Sequence, residues 1–237
     1  MRAEDNLLTF GKETMAGILL FILLMLTGPV CFAQDTLSLS LRYGNRPINN
    51  LPARFDDSVR ITALRFYLSS ISLKNAGKPV WKENNGYHLV DVEEPYSLKI
   101  PLDHNGIHDY DSIEFYIGID SAKSESGIMD GDLDPLHGMF WTWQSGYIHF
   151  KMEGRHPTCP PPRHEFVMHV GGYRYPFSTV QKILLPYRRD ISQVLTVDIM
   201  RFLDAVSVAD NADVMSPGEK AWKLSKLIAT LFSTEAK

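Results

Sequence analysis

Leu37, Leu39, Leu41 and Tyr43 alternate with Thr36, Ser38, Ser40 and Arg42, the period-two signature of a strand with one buried face. From Val59 to Leu73 the alternation continues but changes parity twice. The apolar set runs Val59, Ile61, Ala63, then Leu64, Phe66, Leu68, then Ile71, Leu73, which predicts one long strand with two bulges or bends. Further strands are expected over 87–92, 97–102, 111–119, 139–152, 164–170 and 193–203. Turn clusters such as Asn84-Asn85-Gly86, Asn105-Gly106 and Gly171-Gly172 lie between them. Many short strands with such turns predict an all-β fold, an antiparallel β-sandwich. The period changes at the C-terminus, where Leu224, Leu227, Ile228, Leu231 and Phe232 follow the spacing of a buried helical stripe. Ser216-Pro217-Gly218-Glu219 reads as a capping box with proline in the first turn, so a packing α-helix is expected over 216–233.

The N-terminus is different material. Ala16 to Leu26 is apolar or small throughout, shorter than the ~20 residues that span a bilayer. Gly28-Pro29 breaks the run, and Ala33 supplies a small residue for cleavage. Residues 1–33 therefore read as a secretory signal peptide cut after Ala33, leaving 34–237 as an exported domain, periplasmic or secreted, with no membrane span in the mature form. The acidic Glu4, Asp5 and Glu13 outnumber Arg2 and Lys12 in the leading region, which keeps an uncleaved anchor as the alternative. Cleavage would also remove Cys31, so Cys159 alone remains and no intrachain disulfide is expected. The net charge of -4 gives no reason to expect nucleic acid as partner.

Candidate chemistry concentrates between Gly127 and Gly172. Asp130, Asp132 and Asp134 alternate as oxygen ligands of a calcium loop do, but Pro135 and Trp141 stand where an EF-hand needs glycine and glutamate. The competing reading is a polar turn with Asp134 fixing it ahead of Pro135. On a strand through 139–152, Trp141, Trp143, Tyr147 and His149 share a face unless Gly146 breaks the register. That face is either core packing or an aromatic site. His164 and His169 are five apart and so face opposite sides of a strand. The H-E-x-x-H pattern of zinc proteases is absent. Met139, Met152 and Met168 add thioethers suited to Cu(I), and imidazole suits copper in either state. No nucleophile–base pair or acid pair stands out, so an enzyme is not expected.

The block Gly118-Ile119-Asp120-Ser121, Asp132-Leu133-Asp134-Pro135, Gly138-Met139-Phe140-Trp141-Thr142-Trp143-Gln144-Ser145-Gly146-Tyr147, Glu153-Gly154 and His169-Val170-Gly171-Gly172 resembles the MbnP-like domain family. Phe66-Tyr67-Leu68-Ser69 and Tyr87-His88-Leu89-Val90-Asp91 resemble its N-terminal half, so the likeness runs over roughly 35–205. The resemblance implies a β-rich, exported copper-binding protein. It also implies a di-haem cytochrome c peroxidase-like partner of the MbnH type, which oxidises a tryptophan to kynurenine. In the related MopE-type proteins two histidines and such a kynurenine hold copper. Carried over, Trp141 is the expected modified residue, with Trp143 beside it, and His169 the expected imidazole ligand. Trp143 occupies the position of the second histidine in the MopE pattern, leaving His149 or His164 to replace that ligand. The alternative function is a metal-free envelope module that binds glycan or protein through Trp141, Trp143 and Tyr147.

Overall fold

The fold was read from a computed structural model, which describes residues 35–55, 58–104, 106–142, 145–188 and 193–236. The signal peptide expected over 1–33 lies outside the described residues, as does Trp143. The described residues belong to one unit that begins at Asp35. Its strands are β1 (Asp35–Tyr43), β2 (Arg46–Pro47), β3 (Ala53–Phe55), β4 (Val59–Asn75), β5 (Lys78–Lys82), β6 (Tyr87–Asp91), β7 (Lys99–Leu102) and β8 (Ser112–Ile117). After the short helix α1 (Ser121–Glu125) come β9 (Phe140–Thr142), β10 (Gly146–Arg155), β11 (Glu165–Gly171), β12 (Gln181–Pro186) and β13 (Gln193–Asp198). The chain finishes with α2 (Ile199–Ala205), β14 (Asp213–Val214), α3 (Glu219–Ala229) and β15 (Phe232–Ala236). Among the described residues no helix is long and apolar enough to cross a membrane.

The strands form two sheets. The smaller runs β15-β13-β1-β2, with β7 also on β1; the larger runs β12-β8-β4-β10-β11-β14, with β3, β5 and β6 on β4 and β9 on β10. Most pairs are antiparallel, but β1 with β13 and β11 with β14 are parallel. The all-β class with a C-terminal helix is therefore present, as a mixed rather than purely antiparallel arrangement. The alternation read in β1 aims Leu37, Leu39 and Leu41 at the core, where they share one cluster with Phe66, Phe150, Met152 and Met168 of the larger sheet. Phe232 of β15 meets Phe66 and Phe115 edge-on at 5.7 and 5.6 Å, joining the two sheets.

The two parity changes in β4 are bulges. One lies where Glu153 pairs with Ala63 and Gly154 with Ile61, leaving Thr62 over; the other lies between Ser69 and Ser72. Three expectations are corrected. The segment 139–152 is not one strand: Gly146 adopts φ +74° and pairs with Thr142, so β9 and β10 are two arms of a hairpin. The segment 193–203 is half strand and half helix, because the Asp198 carboxylate accepts the Met200 N–H and starts α2. The C-terminal helix is shorter than 216–233. It starts after Gly218 with no side-chain cap, and Phe232 to Ala236 instead pair with β13.

Candidate functional site

The outer face of the larger sheet carries a second apolar cluster. Tyr67 of β4, Leu89 of β6, Ile119, and Tyr147 and Ile148 of β10 form its floor, and Leu133 and Met139 close over them. The roof is tied down by polar contacts. The Tyr67 hydroxyl donates to the Asp132 carbonyl at 2.9 Å, and the Tyr147 hydroxyl donates to the Leu133 carbonyl at 3.1 Å. The Asp132 carboxylate accepts the Leu89 N–H at 3.0 Å. Burial, reinforced by neighbouring acidic groups, pushes both phenols above the usual tyrosine range, so they act as fixed donors. Asp134 accepts the Leu136 N–H at 2.8 Å and caps a single 3-10 turn. The Asp132 carboxylate thus ties the turn to β6 and the Asp134 carboxylate works within the turn, while Asp130 precedes a 3-10 turn without a side-chain cap bond. Among the described residues no group of three His, Cys, Asp or Glu side chains could hold a metal ion. Asp130, Asp132 and Asp134, expected as an alternating calcium loop, form no such group among the described residues.

Trp141 sits at the edge of this second cluster. It is the extra residue of β9, between Phe140 and Thr142, which pair with Tyr147 and Gly146. Its ring packs over Gly171 so closely that a Cβ there would lie 2.9 Å from Cζ3 and 2.5 Å from the Tyr147 carbonyl oxygen. Only glycine fits that position. The half-buried indole leaves its Nε1 buried with no hydrogen-bond partner. His169 lies two residues before Gly171 on the same face of β11, about 7 Å along the strand. The structure therefore brings Trp141 and His169 into one neighbourhood.

His169 is 8% exposed, and its Nε2 lies 2.8 Å from Glu153 Oε1. Burial pushes the Glu153 carboxyl up, but the His169 hydrogen bond and the Lys151 charge outweigh it and hold the group below the usual carboxylate range. An ionised Glu153 accepts the Nε2 proton, the tautomer that places a ring lone pair on Nδ1. This carboxylate–imidazole pairing is the arrangement that orients metal-ligating histidines.

His149 is placed differently. It is the residue left over at the bulge in β10, between the pairs Ile148–Gly171 and Phe150–Val170, and is 1% exposed. Its ring lies so close to Gly118 that a Cβ there would meet Nδ1 at 2.5 Å. Nδ1 is 2.8 Å from the Thr179 hydroxyl, which itself donates to the Gly172 carbonyl at 3.1 Å. The Gly172 carbonyl also accepts the Thr179 N–H at 2.8 Å. In either tautomer the ring's Nε2 is a buried polar atom without a hydrogen-bond partner. Burial pushes its pKa down to about 3, so the ring stays neutral.

His164 does not join the group. It precedes β11 at the far end from Gly171, its Nδ1 on the Cys159 carbonyl at 2.7 Å. Five steps along the chain, through the extended residues of β11, separate it from His169 by about 16 Å, too far for one metal. The Cys159 thiol is buried and pushed up by that burial. Nor do Trp141, Tyr147 and His149 form an exposed aromatic platform, since Tyr147 is 0% exposed and His149 lies inside the fold. Of the residues on which the glycan-binding reading rests, Tyr147 is therefore inside the fold and Trp141 is half-buried. Sequence reasoning missed Thr179 and the roles of Gly118 and Glu153. Gly118 and Glu153 stood in the motif block, but the contact of Gly118 with His149 and the link of Glu153 to His169 depend on a cross-strand register no local pattern carries.

The class is an all-β, two-sheet domain with a roofed outer cluster and a tryptophan–histidine edge at the end of β11. The chain belongs to the MbnP family, whose family model matches residues 32–216. Among solved structures, MbnP from Methylosinus trichosporium is similar at 14% identity, with a TM-score of 0.49 over 73% of this chain and 78% of that chain. No curated protein matches the chain.

Proposed function

We propose that the protein is an exported, non-enzymatic copper-binding member of the MbnP family. In this reading Trp141 is converted to kynurenine by a di-haem cytochrome c peroxidase-like partner. The observation that carries it is an indole with an unpartnered buried Nε1, Trp141, packed over Gly171, with a carboxylate-oriented imidazole, His169, two residues along the same strand face. The unmodified donor set fits a soft metal only in part. His169 offers one nitrogen, and the described residues supply no three-ligand cluster. Opening the indole ring would replace a donor-only N–H with an aryl amine and a ketone, which adds donor atoms beside His169. Copper bound there would supply a redox-active soft centre, while Glu153 holds the imidazole plane.

The test is peptide mapping and metal analysis of protein from its native host, grown with copper. A mass gain confined to the peptide carrying Trp141, with one copper per chain that survives dialysis and is lost in His169→Ala, is the expected result. An unmodified Trp141 peptide together with copper-free protein would overturn the assignment.

A further inference from the structure

The outer face of the smaller sheet is lined largely by polar side chains among the described residues. Ser40 of β1 stands opposite Thr196 of β13, and Thr196 opposite Ser233 of β15. Cross-strand partners share a face with Cβ atoms about 5 Å apart, so three hydroxyls stand in one row. Arg42 lies one row to one side, opposite Asp198, and Glu235 one row to the other, opposite Val194. The Arg42–Glu235 ion pair, at 2.8 Å, therefore runs diagonally across Thr196. Thr196 is only 3% exposed beneath it, and its Oγ1 is buried with no hydrogen-bond partner. A buried hydroxyl left without a partner is a cost the fold carries for no structural return.

Above this row opens a cavity of about 520 Å³, lined by Arg42, Arg46, Arg201, Thr196 and Ser233 together with Asp198 and Glu235. That volume falls in the range of small-molecule sites. Its charge runs against the chain's net -4, with three guanidinium groups facing two carboxylates. Asp198 is already engaged, because its Oδ1 accepts the Gly44 and Met200 N–H groups at 2.9 and 3.0 Å. Arg46 stacks over the Tyr43 and Phe55 rings at 5.7 and 5.2 Å, which fixes its plane at the rim. The Arg42–Glu235 pair is more than a third exposed on both sides, so solvent screens it and a competing anion can take its place.

We propose that this cavity binds a small organic oxyanion carrying carboxylate or phosphate groups. Arg42 exchanges Glu235 for the ligand, Arg46 and Arg201 flank it, and the Thr196 and Ser233 hydroxyls donate to it. Guanidinium forks match the paired oxygens of both group types. The site shares no residue with the Trp141–His169 edge and stands independently of copper.

The experiment is isothermal titration of the full chain at low ionic strength, with citrate in one arm and inorganic phosphate in the other. Binding in the citrate arm identifies a polycarboxylate site, and binding in the phosphate arm a phosphate site; either supports the proposal when the variants follow. Arg201→Ala is expected to weaken binding at least tenfold, and Glu235→Gln to tighten it severalfold by freeing Arg42. Both substitutions lie on the surface, and unchanged thermal melts confirm folding. Absence of heat with both anions in wild type and in Glu235→Gln, or equal affinity in all three proteins, would overturn it.

Discussion

The two faces of β4 and β10 show what a strand can do with opposite neighbours. The inner face meets the smaller sheet through Phe66, Phe150 and Met152, wholly buried and without a polar atom to satisfy. The outer face is as well buried at Tyr67 and Tyr147, but each phenol there is anchored to a carbonyl of the roof. Beside it lie two polar atoms with no partner, Trp141 Nε1 and His149 Nε2. The inner cluster contributes stability by area alone. The outer cluster fixes positions, and its unsatisfied atoms carry a cost that packing does not explain. The difference is why the proposed chemistry is assigned to the edge of the smaller cluster, although the larger one holds the fold together.

The largest effect expected from this contrast is on the inner side. Phe66→Ala removes a ring that packs on Phe150 and on Phe232 of the other sheet, at centroid distances of 6.0 and 5.7 Å. A loss of about 3–5 kcal/mol is expected, read by chemical denaturation as a shift of the whole cooperative transition. A loss below about 1 kcal/mol would mean that Phe66 is not a centre of the shared core.

The next effect depends on pH and belongs to His149. Its folded pKa is depressed to about 3 from the ordinary 6.5, because burial disfavours the charged ring. Between those values the unfolded chain holds a proton that the folded chain lacks, so stability is full above pH 6.5 and falls as pH drops toward 3. The slope is about 1.4 kcal/mol per pH unit. His156 is shifted in the same direction by burial and adds to the trend, so the informative quantity is a difference. Denaturation at pH 7, 6 and 5 should show a steeper fall in wild type than in His149→Gln, whose amide cannot take the proton. Parallel slopes would place His149 in contact with water.

Much of the inner face was legible in the sequence, and little of the outer one. The parity changes of β4 are readable because a bulge leaves its mark on the local alternation, at Thr62 and again between Ser69 and Ser72. The motif around Trp141 and the His169-Val170-Gly171-Gly172 string meet at one corner of the structure, where the Trp141 ring packs over Gly171. The hairpin was lost because period two continues across Gly146 on paper, while its left-handed backbone turns the chain. β5 and β15 went unseen because Lys78–Lys82 is largely exposed and Ser233–Ala236 only partly buried; pairing with β4 and β13 makes them strands, not pattern. The partners of the two buried histidine-site rings, Glu153 and Thr179, come from other segments of the chain and are invisible to any window along it.

The smallest expected effect discriminates most sharply between the two faces. Tyr67→Phe keeps the ring and its edge-on contact with Tyr147, centroids 5.9 Å apart, and deletes only the hydroxyl bound to the Asp132 carbonyl. A loss of about 1 kcal/mol is expected, since a buried acceptor loses its partner while the apolar packing stays. The consequence should be local: faster amide exchange through the 131–139 roof and at Leu89, whose N–H binds the Asp132 carboxylate, with the β4–β10 amides unchanged. Uniformly faster exchange across both faces would show that the roof and the shared core open together. The outer cluster would then be an extension of the main fold, not a separately fastened platform for the Trp141 edge.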